Sequence, residues 1–402
     1  MLATVGIIAE FNPLHNGHKK LIDFANSIGD TVVCAISGNF VQRGDTALFS
    51  KQKRAEMALL VGADIVCEMP CLWSMSTAMN FALCGVWQLY SLGVDTIVFG
   101  SECGNIDILI KTAEVLMSED FSKKVNEKIK DGITFAVARN IVAKELGVPD
   151  NILEKPNNNL GVEYIIASKR MSLNIKFETL KRFGEEHDSL SDAPNFVSSS
   201  FIRQKIISGD IAYTERFMPL AVRGIIDDTM VSDIGRMERT ILGILRTKTI
   251  EDFRNLPDLS EGIENKLLFS IKVATSLDEL YNMIKSKRYT LSRIRRLCLA
   301  ATLGFDKDFF MKKPPYVRVL GVSKEGEKHL KSLPDKENII IRVSDIKQLG
   351  ENAGKVFETE CIATDLYGLS FKTPTECGLE YKYKFLKTET VKRNKTGVLT
   401  EN

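Results

Sequence analysis

The chain lacks any large excess of charge of one sign. Its 402 residues carry 54 Lys and Arg against 52 Asp and Glu, a formal net charge of +2. This balance excludes a protein that coats nucleic acid with a wholly basic surface, so any basic surface must be local. Long apolar runs are also missing. The most apolar stretch, 78–92, contains Asn80, Gly85 and Gln88 and is too short to span a bilayer, so no membrane partner is expected.

Histidine is scarce, and the cysteines follow no pairing pattern. The chain has four His, and its eight Cys include no Cys-x-x-Cys pair. These spacings argue against a disulfide framework and a structural zinc site, and we expect reduced, mostly buried thiols. A positively charged leader ahead of an apolar segment is also missing at the N-terminus. We therefore expect a cytoplasmic protein.

The first half of the chain alternates short apolar segments with amphipathic ones. Strands are predicted at 4–11, 31–37, 64–68, 96–100 and 175–179, and helices at 18–27, 51–61, 78–91 and 106–116. Continuously apolar, β-branched strands are typical of parallel sheets covered on both faces, so we predict a doubly wound α/β sheet. Ligands of such sheets bind beyond the carboxyl ends of the strands.

The length of the chain suggests two or three domains. We predict a first domain over 1–205, a mainly helical region over 206–312, and a small α+β unit with a polar tail over 313–402. The last unit is predicted from two short β-rich segments, 317–322 and 339–343.

The most informative stretch is 6–18, which reads Gly-Ile-Ile-Ala-Glu-Phe-Asn-Pro-Leu-His-Asn-Gly-His. It predicts a buried strand that ends at Pro13 and delivers His15 and His18 to the start of a helix. Helix N-termini favour anions, and imidazoles donate hydrogen bonds to oxygens that gain charge when a phosphoryl centre is attacked. These features predict a nucleotide site. Core or capping histidines and a metal-binding pair remain the alternatives, although no Cys or carboxylate lies nearby at a ligand-like spacing.

Two polar clusters follow predicted strands in the first hundred residues. In 37–45, Arg43 is suited to bind a phosphate or carboxylate through two hydrogen bonds. In 99–102, Gly100 would line a base pocket. The alternatives are a solvated loop and a plain turn.

Two more clusters lie further along the chain. The loop predicted to end in 157–159 would present Asn side chains to base edges or ribose hydroxyls, with Lys181 and Arg182 after the last strand. At 198–203, three serines begin a helix that carries Arg203 one turn in, which would form a second anion site. The alternatives are ordinary turns and a helix cap.

Taken together, these motifs resemble the nucleotidylyltransferase superfamily, which also contains the class I aminoacyl-tRNA synthetases, and in detail the bacterial tRNA(Met) cytidine acetate ligase family. The resemblance covers nearly the whole chain. It rests on 6–18, 36–44, Ser50-Lys51, 62–64, 99–102, Asn157-Asn158, 287–290, Arg293 and Arg295-Arg296.

The resemblance implies a HUP/Rossmann-like nucleotidylyltransferase domain and a two-step ligation. Acetate attacks the α-phosphate of ATP, giving acetyl-adenylate and pyrophosphate. The wobble cytidine of elongator tRNA(Met) then takes the acetyl group on N4, giving N4-acetylcytidine. The implied co-substrates are ATP, with Mg²⁺, and acetate; no metal ligands are predicted in the protein itself.

The resemblance also implies site residues. His15, His18 and Arg203 would be catalytic. Leu14 stands where the family pattern has an aromatic residue. ATP would be bound by Ile7, Ile8, Ala9, Glu10, Phe11, Asn12, Pro13, Leu14, His15, Asn16, Gly17, His18, Lys19, Lys20, Gly100, Asn157 and Arg182.

A basic cluster in the helical half is predicted to bind RNA. Arginine beside an aromatic ring suits an RNA backbone and an unstacked base, although a charged run is by itself typical of a solvated helix face. The resemblance favours the RNA interpretation, and the tail residues would extend the surface: Lys382, Lys384, Lys387, Lys392 and Arg393. The cluster surrounds Tyr289 and consists of Lys287, Arg288, Arg293, Arg295 and Arg296.

Three other functions remain open from the sequence. The first is a nucleotidylyltransferase that moves AMP onto a small phosphorylated metabolite, which would leave the helical half unexplained. The second is a ligase for another acid or another RNA, and the third is a non-enzymatic RNA-binding module. The sequence does not indicate the oligomeric state.

Overall fold

The computed structural model describes residues 3–182, 197–259, 262–286, 288–307 and 313–389. Most of its strands form one eight-stranded sheet, in the order β10-β8-β5-β2-β1-β6-β7 with β9 beside β8. The strands are β1 (Thr4–Ala9), β2 (Thr31–Ser37), β3 (Phe40–Val41), β4 (Asp45–Thr46), β5 (Ile65–Met69), β6 (Thr96–Ser101), β7 (Lys176–Lys181), β8 (Val317–Ser323), β9 (Ile339–Ile340) and β10 (Leu386–Thr388).

Five neighbouring strands, in the sheet order β5-β2-β1-β6-β7, are parallel to one another. Helices cover both faces of the sheet. Successive residues of β1 alternate between two apolar clusters, with Val5 and Ile7 in one and Ile8 in the other. This explains why the strands read as continuously apolar. The predicted doubly wound α/β fold class is confirmed.

Helices connect and follow the strands, and in the described part of 206–312 every regular element is helical. The helices are α1 (Asn16–Ile28), α2 (Lys51–Leu60), α3 (Cys71–Ser74), α4 (Ala78–Ser91), α5 (Ile106–Met117), α6 (Glu119–Lys130), α7 (Phe135–Glu145), α8 (Pro156–Arg170), α9 (Ser199–Ile207), α10 (Ile211–Thr214), α11 (Glu238–Arg246), α12 (Ile250–Arg254), α13 (Ile263–Val273), α14 (Leu277–Ile284), α15 (Leu291–Leu303), α16 (Lys324–Ser332), α17 (Glu351–Tyr367) and α18 (Leu379–Lys382).

The C-terminal strands join the first sheet and do not form a sheet of their own. Strand β8 is buried along its whole length and pairs antiparallel with β5, at the edge of the first sheet. Strands β9 and β10 then pair with β8 in parallel. The predicted strand over 339–343 is shorter, since only β9 pairs before a 3-10 helix begins at Val343.

The asparagines at 157–159 lie in the first turn of α8, and the predicted loop at this position is wrong. Pro156 occupies the first turn of the helix, where its missing N–H is no disadvantage. The carboxylate of Glu102 supplies acceptors for the N–H groups that follow. A cap from a residue more than fifty positions earlier leaves no local sequence signal.

Candidate active site

The two histidines of the 6–18 motif lie together where β1 ends and α1 begins. The N–H of Gly17 donates to Nδ1 of His15 at 3.0 Å, and the N–H of His15 donates to Nδ1 of His18 at 3.3 Å. The two rings stack with centroids 3.9 Å apart. A Cβ at position 17 would lie 2.8 Å from Cε1 of His15, so glycine is needed for this close approach. The predicted capping role is therefore present.

The hydrogen bonds also fix where each imidazole carries its proton. Because both Nδ1 atoms accept from backbone N–H groups, a neutral ring must carry its proton on Nε2. The Nε2 of His15 then donates to the hydroxyl of Ser199, 3.0 Å away. Helix capping and donation to an oxygen are thus compatible, since they use opposite nitrogens of the same ring.

Both histidines are neutral at physiological pH. Burial, and then the Arg182 guanidinium, lower the pKa of His15 to about 4. Burial of the ring, the neighbouring His15 and Arg182 hold the pKa of His18 well below its usual range, against a hydrogen bond with the backbone of Pro13. Neutral imidazoles donate from Nε2 without adding charge, and the nearby positive charge comes from arginine.

The 198–203 cluster meets the histidines across nearly two hundred residues of sequence. Ser198 caps α9 by accepting from the N–H of Phe201, and Ser199 contacts His15. Arg203 donates from Nη1 to the carbonyl of Asn12 at 2.8 Å. The structure therefore brings the three predicted catalytic residues, His15, His18 and Arg203, to one place.

The loop 38–48, which contains β3 and β4, borders the same site. The N–H of Gln42 donates to Oε1 of Glu10 at 2.9 Å, and that of Leu48 donates to Oδ1 of Asn12 at 2.8 Å. Arg54 of α2 is completely buried and donates to the carbonyls of Glu10, Phe49 and Gly38. Arg54 is not predicted from the sequence, in which it follows Lys51 by one turn in an ordinary charged helix.

Gly100 and Arg182 lie at the ends of neighbouring strands. A Cβ on Gly100 would lie 3.2 Å from Cγ of Arg182, and the N–H of Arg182 donates to the carbonyl of Ser101 at 2.9 Å. Arg182 also lowers the pKa of both histidines, so its guanidinium acts on them electrostatically. Gly100 is linked to the histidine pair through its contact with Arg182.

Asn157 is held by a carboxylate. Its N–H and its side-chain amide donate to Oε1 of Glu102 at 3.1 and 2.7 Å. In return, Oδ1 of Asn158 accepts hydrogen bonds from the N–H groups of Glu102 and Cys103. Glu102 therefore links the end of β6 to the start of α8. A nucleotide contact of Asn157 stays a prediction.

The remaining polar residues predicted to bind ATP lie on the first turns of α1. Asn16 donates to the carbonyl of Arg216 at 3.2 Å. Lys19 forms an ion pair with Asp23 at 2.6 Å, and Lys20 is exposed. In this arrangement, the amide of Asn16 and the ammonium of Lys19 already have protein partners.

The predicted RNA-binding residues form two groups, and Lys287, Lys392 and Arg393 lie outside the described residues. Arg293 and Arg296 both pair with Asp258, at 3.5 and 3.1 Å. Arg296 also donates to the carbonyl of Gln42 at 3.4 Å, and Arg295 packs against Gly44, so α15 contacts the loop 38–48.

Arg288, by contrast, is exposed, with its guanidinium 5.5 Å from the ring of Tyr289. Tyr289 itself is only 7% exposed, so it is not open for stacking on a base.

A buried charge cluster was not anticipated from the sequence. Lys51 of α2 forms ion pairs with Glu68 and Glu380 and lies 3.7 Å from Glu360, and Arg318 of β8 pairs with the first two of these carboxylates. All five side chains are at most 5% exposed. The cluster joins α2 and β5 to β8, α17 and α18. Its members are scattered over 330 residues, so sequence spacing does not reveal it.

Two absences concern the described residues alone. Within 3–389, apart from the four undescribed stretches, no group of three or more His, Cys, Asp or Glu is placed to hold a metal ion. In the same part of the chain, no helix is both long and apolar enough to cross a membrane.

Comparisons with known proteins agree with this geometry. A family model described as HIGH Nucleotidyl Transferase matches residues 2–381. The relatives include tRNA(Met) cytidine acetate ligases of Thermoanaerobacter sp. strain X514, 35% identical, and Caldanaerobacter subterraneus subsp. tengcongensis, 37% identical. Each alignment covers 96% of this chain and 100% of the relative.

A solved structure matches as well. The crystal structure of Thermotoga maritima TmcAL bound with alpha-thio ATP superposes with a TM-score of 0.87 at 28% sequence identity. The superposition covers 96% of this chain and 100% of that chain.

Proposed function

This chain belongs to the HIGH nucleotidyl transferase family and to the tRNA(Met) cytidine acetate ligases within it, and we propose that it ligates acetate to the wobble cytidine of elongator tRNA(Met) with cleavage of ATP to AMP and pyrophosphate. One observation carries the proposal. Two neutral histidines with Nε2 protons lie at the start of α1, beside Ser199, Arg203 and Arg182. This set offers donors and positive charge to a phosphoryl group.

In the first step, an acetate oxygen attacks the α-phosphorus of ATP, and the bond from that phosphorus to pyrophosphate breaks. Acetate is already an anion at neutral pH, so the step needs positioning and charge stabilisation more than a general base. His15 and His18 donate from Nε2 to the α-phosphate oxygens, and for His15 this replaces the hydrogen bond with Ser199. Arg182 and Arg203 offset the charge that develops on phosphate and pyrophosphate.

In the second step, N4 of the cytidine attacks the acetyl carbon of acetyl-adenylate. The new N–C bond forms as the C–O bond to AMP breaks, AMP leaves with the electron pair, and the amine releases a proton. Neither step requires a Cys or Ser nucleophile. This fits the burial of Cys34, Cys67 and Cys71, whose pKa values burial raises above the usual range.

We place ATP along residues 7–20, with Gly100, Asn157 and Arg182 around it. The packing of Gly100 against Arg182, and the electrostatic effect of Arg182 on His15, support this placement. Mg²⁺ would enter with the triphosphate, as it does where a protein offers few ligands, and would neutralise the phosphate charge. Glu10, the acidic residue of the 6–18 motif, accepts from the N–H of Gln42 and would be the carboxylate of that motif available to the metal.

We place the tRNA on the helical region 206–312, next to the ATP-binding residues 1–205. Arg288 is exposed, and Arg295 lies against the loop 38–48. Lys287 would belong to the same surface. Arg293 and Arg296 would act through Asp258, which holds both guanidinium groups in place.

The deciding experiment is acetylation of purified elongator tRNA(Met) with ATP and labelled acetate, followed by nucleoside analysis. We expect N4-acetylcytidine that requires ATP and acetate but not acetyl-CoA. ATP–pyrophosphate exchange should occur with acetate alone. Exchange that needs a phosphorylated metabolite instead would overturn the proposal in favour of AMP transfer to that metabolite.

A further inference from the structure

A large cleft opens beside the C-terminal strands, away from any residue assigned above to ATP. It has a volume of about 1200 Å³ and lies between β8, β9, the 3-10 helix at Val343–Leu349, α17 and the segment 381–387. We call it the C-terminal cleft; its key lining residues are Arg342, Lys347, Tyr381, Lys384, Phe385 and Lys387. Because small-molecule pockets have roughly 300–1,000 Å³, a cleft of this volume has room for an extended ligand.

The rim of the C-terminal cleft is basic. Apart from buried Arg318, six Lys and Arg line it, against the three acids Glu327, Asp345 and Glu358. Glu327 already has Lys331 at 3.0 Å and Lys387 at 3.3 Å. Among the described residues, the exposed cations Arg342, Lys347 and Lys384 form no ion pair. Because the whole chain carries a net charge of only +2, this concentration of cations is a local feature.

Aromatic rings accompany these cations. Tyr381 is 67% exposed and rests edge-on against Phe357, with ring centroids 5.4 Å apart, and Phe385 is half-buried nearby. An exposed ring that is anchored by a second ring suits a stacked base, since stacking on aromatic side chains is tolerant of sequence. Exposed cations beside such rings are typical of surfaces that bind unpaired nucleic acid.

We propose that the C-terminal cleft binds an unpaired segment of the tRNA substrate, with a base on Tyr381 and phosphates along Arg342, Lys347 and Lys384. The inference rests on the proposed function, which supplies the RNA. It adds a second contact surface to α15, where Asp258 already neutralises part of the charge of Arg293 and Arg296. An acidic protein segment would match the cations but leave the exposed ring unexplained.

The test is binding of elongator tRNA(Met) to the full chain at several salt concentrations. Arg342→Ala with Lys347→Ala should weaken binding about tenfold near physiological salt and reduce the salt slope by about 1 to 2, since each phosphate contact contributes roughly one counterion. The matched control, Lys123→Ala with Lys130→Ala on exposed positions of α6, should leave both quantities unchanged.

A second pair of variants separates stacking from charge. Tyr381→Ala should weaken binding about tenfold with an unchanged salt slope, and Tyr381→Phe should retain binding, because stacking needs only the ring. Acetate-dependent ATP–pyrophosphate exchange should be unchanged in all of these variants.

Two results would overturn the inference, and they are distinguishable. If the unaltered protein acetylates tRNA but the Arg342 and Lys347 variant binds like the α6 control, the C-terminal cleft is not an RNA surface and the proposed function stands. If the unaltered protein neither binds nor acetylates tRNA, both proposals fail.

Discussion

At the scale of single residues, the site depends on which nitrogen of each histidine carries a proton. The backbone N–H groups of Gly17 and His15 hold the two Nδ1 atoms as acceptors. These backbone hydrogen bonds select the tautomer that carries its proton on Nε2, so no carboxylate or metal ion is needed for that purpose. Burial, and then Arg182, keep the pKa of His15 at about 4, so the ring stays neutral and its Nδ1 remains an acceptor throughout the physiological range.

His18→Ala should therefore reduce acetyl-adenylate formation by about 10²–10³-fold, the usual effect of removing one preorganised donor to a developing charge. Acetate-dependent ATP–pyrophosphate exchange measures this directly. Binding of tRNA should stay within a few-fold, because the histidine lies outside the predicted RNA surface. His329→Ala is the matched control: His329 hydrogen-bonds only the carbonyl of Leu92 among the described contacts, and exchange should persist. Undiminished exchange in the His18 variant would remove the site assignment.

The sequence predicted the histidine pair and Arg203 but not Arg54, and the reason lies in range. The histidines are part of a local pattern of strand, proline and helix that dictates its own geometry. Arg54 donates hydrogen bonds to backbone carbonyls 5 to 44 positions away. A single arginine in a charged helix gives no sequence signal for such distant partners. The sequence predicts a loop at Asn157, which instead lies in the first turn of α8, because the acceptor that caps the helix comes from the distant Glu102.

At the scale of elements, the loop 38–48 connects the 6–18 motif to the helical region. It contacts Glu10 and Asn12 on one side and α15 on the other. Gly44 is the closest point of that contact. It has a φ of +72°, and a Cβ there would lie 2.6 Å from Cβ of Arg295 and from the N of Arg296.

Gly44→Ala should thus separate the loop from α15. The positive φ costs about 1 kcal/mol, and the overlap with α15 adds about 1–3 kcal/mol. Gly132→Ala is the control, since Gly132 has a similar φ of +85° but nothing within 4 Å of its virtual Cβ. Urea unfolding measures the difference between the two variants. Equal losses of stability would mean that the contact with α15 contributes nothing.

At the scale of the whole molecule, the sheet is completed by a strand from the far end of the chain. The sequence predicts β8 as a strand but does not predict its partner. An apolar run indicates that a strand is buried, but it does not indicate which strand it pairs with. Pairing β8 with β5 aligns Arg318 with Glu68 and closes the buried charge cluster. Without the C-terminal residues, Lys51 and Glu68 would keep their mutual ion pair but lose Glu380 and Arg318.

The charges of that cluster balance through one protonated acid. Burial, and then the neighbouring Glu68, raise the pKa of Glu360 to about 8, so this side chain is neutral at pH 7. Against the effect of burial, Lys51 and Arg318 hold the pKa of Glu380 at about 2. The burial of Lys51 is outweighed by Glu380 and Glu68, which raise its pKa above the usual range. The two cations are thus matched without Glu360.

This balance predicts opposite effects for two substitutions, both measured by urea unfolding, at pH 5 and pH 8 for Glu360 and at pH 7 for Lys51. A carboxyl whose pKa is raised in the folded state contributes stability below its unfolded value of 4.5, and this is lost as the pH rises toward 8. Glu360→Gln stays neutral, so its stability relative to the unaltered chain should increase by about 3 kcal/mol between pH 5 and pH 8.

Lys51→Met should instead cost about 3–5 kcal/mol at pH 7, because it leaves buried carboxylates without their cation. Lys53→Met, two positions away in a more exposed pair with Glu56, should cost at most about 1 kcal/mol. Parallel pH profiles for the unaltered chain and Glu360→Gln would show that Glu360 is ionised in the folded protein, and the cluster would then carry a net negative charge.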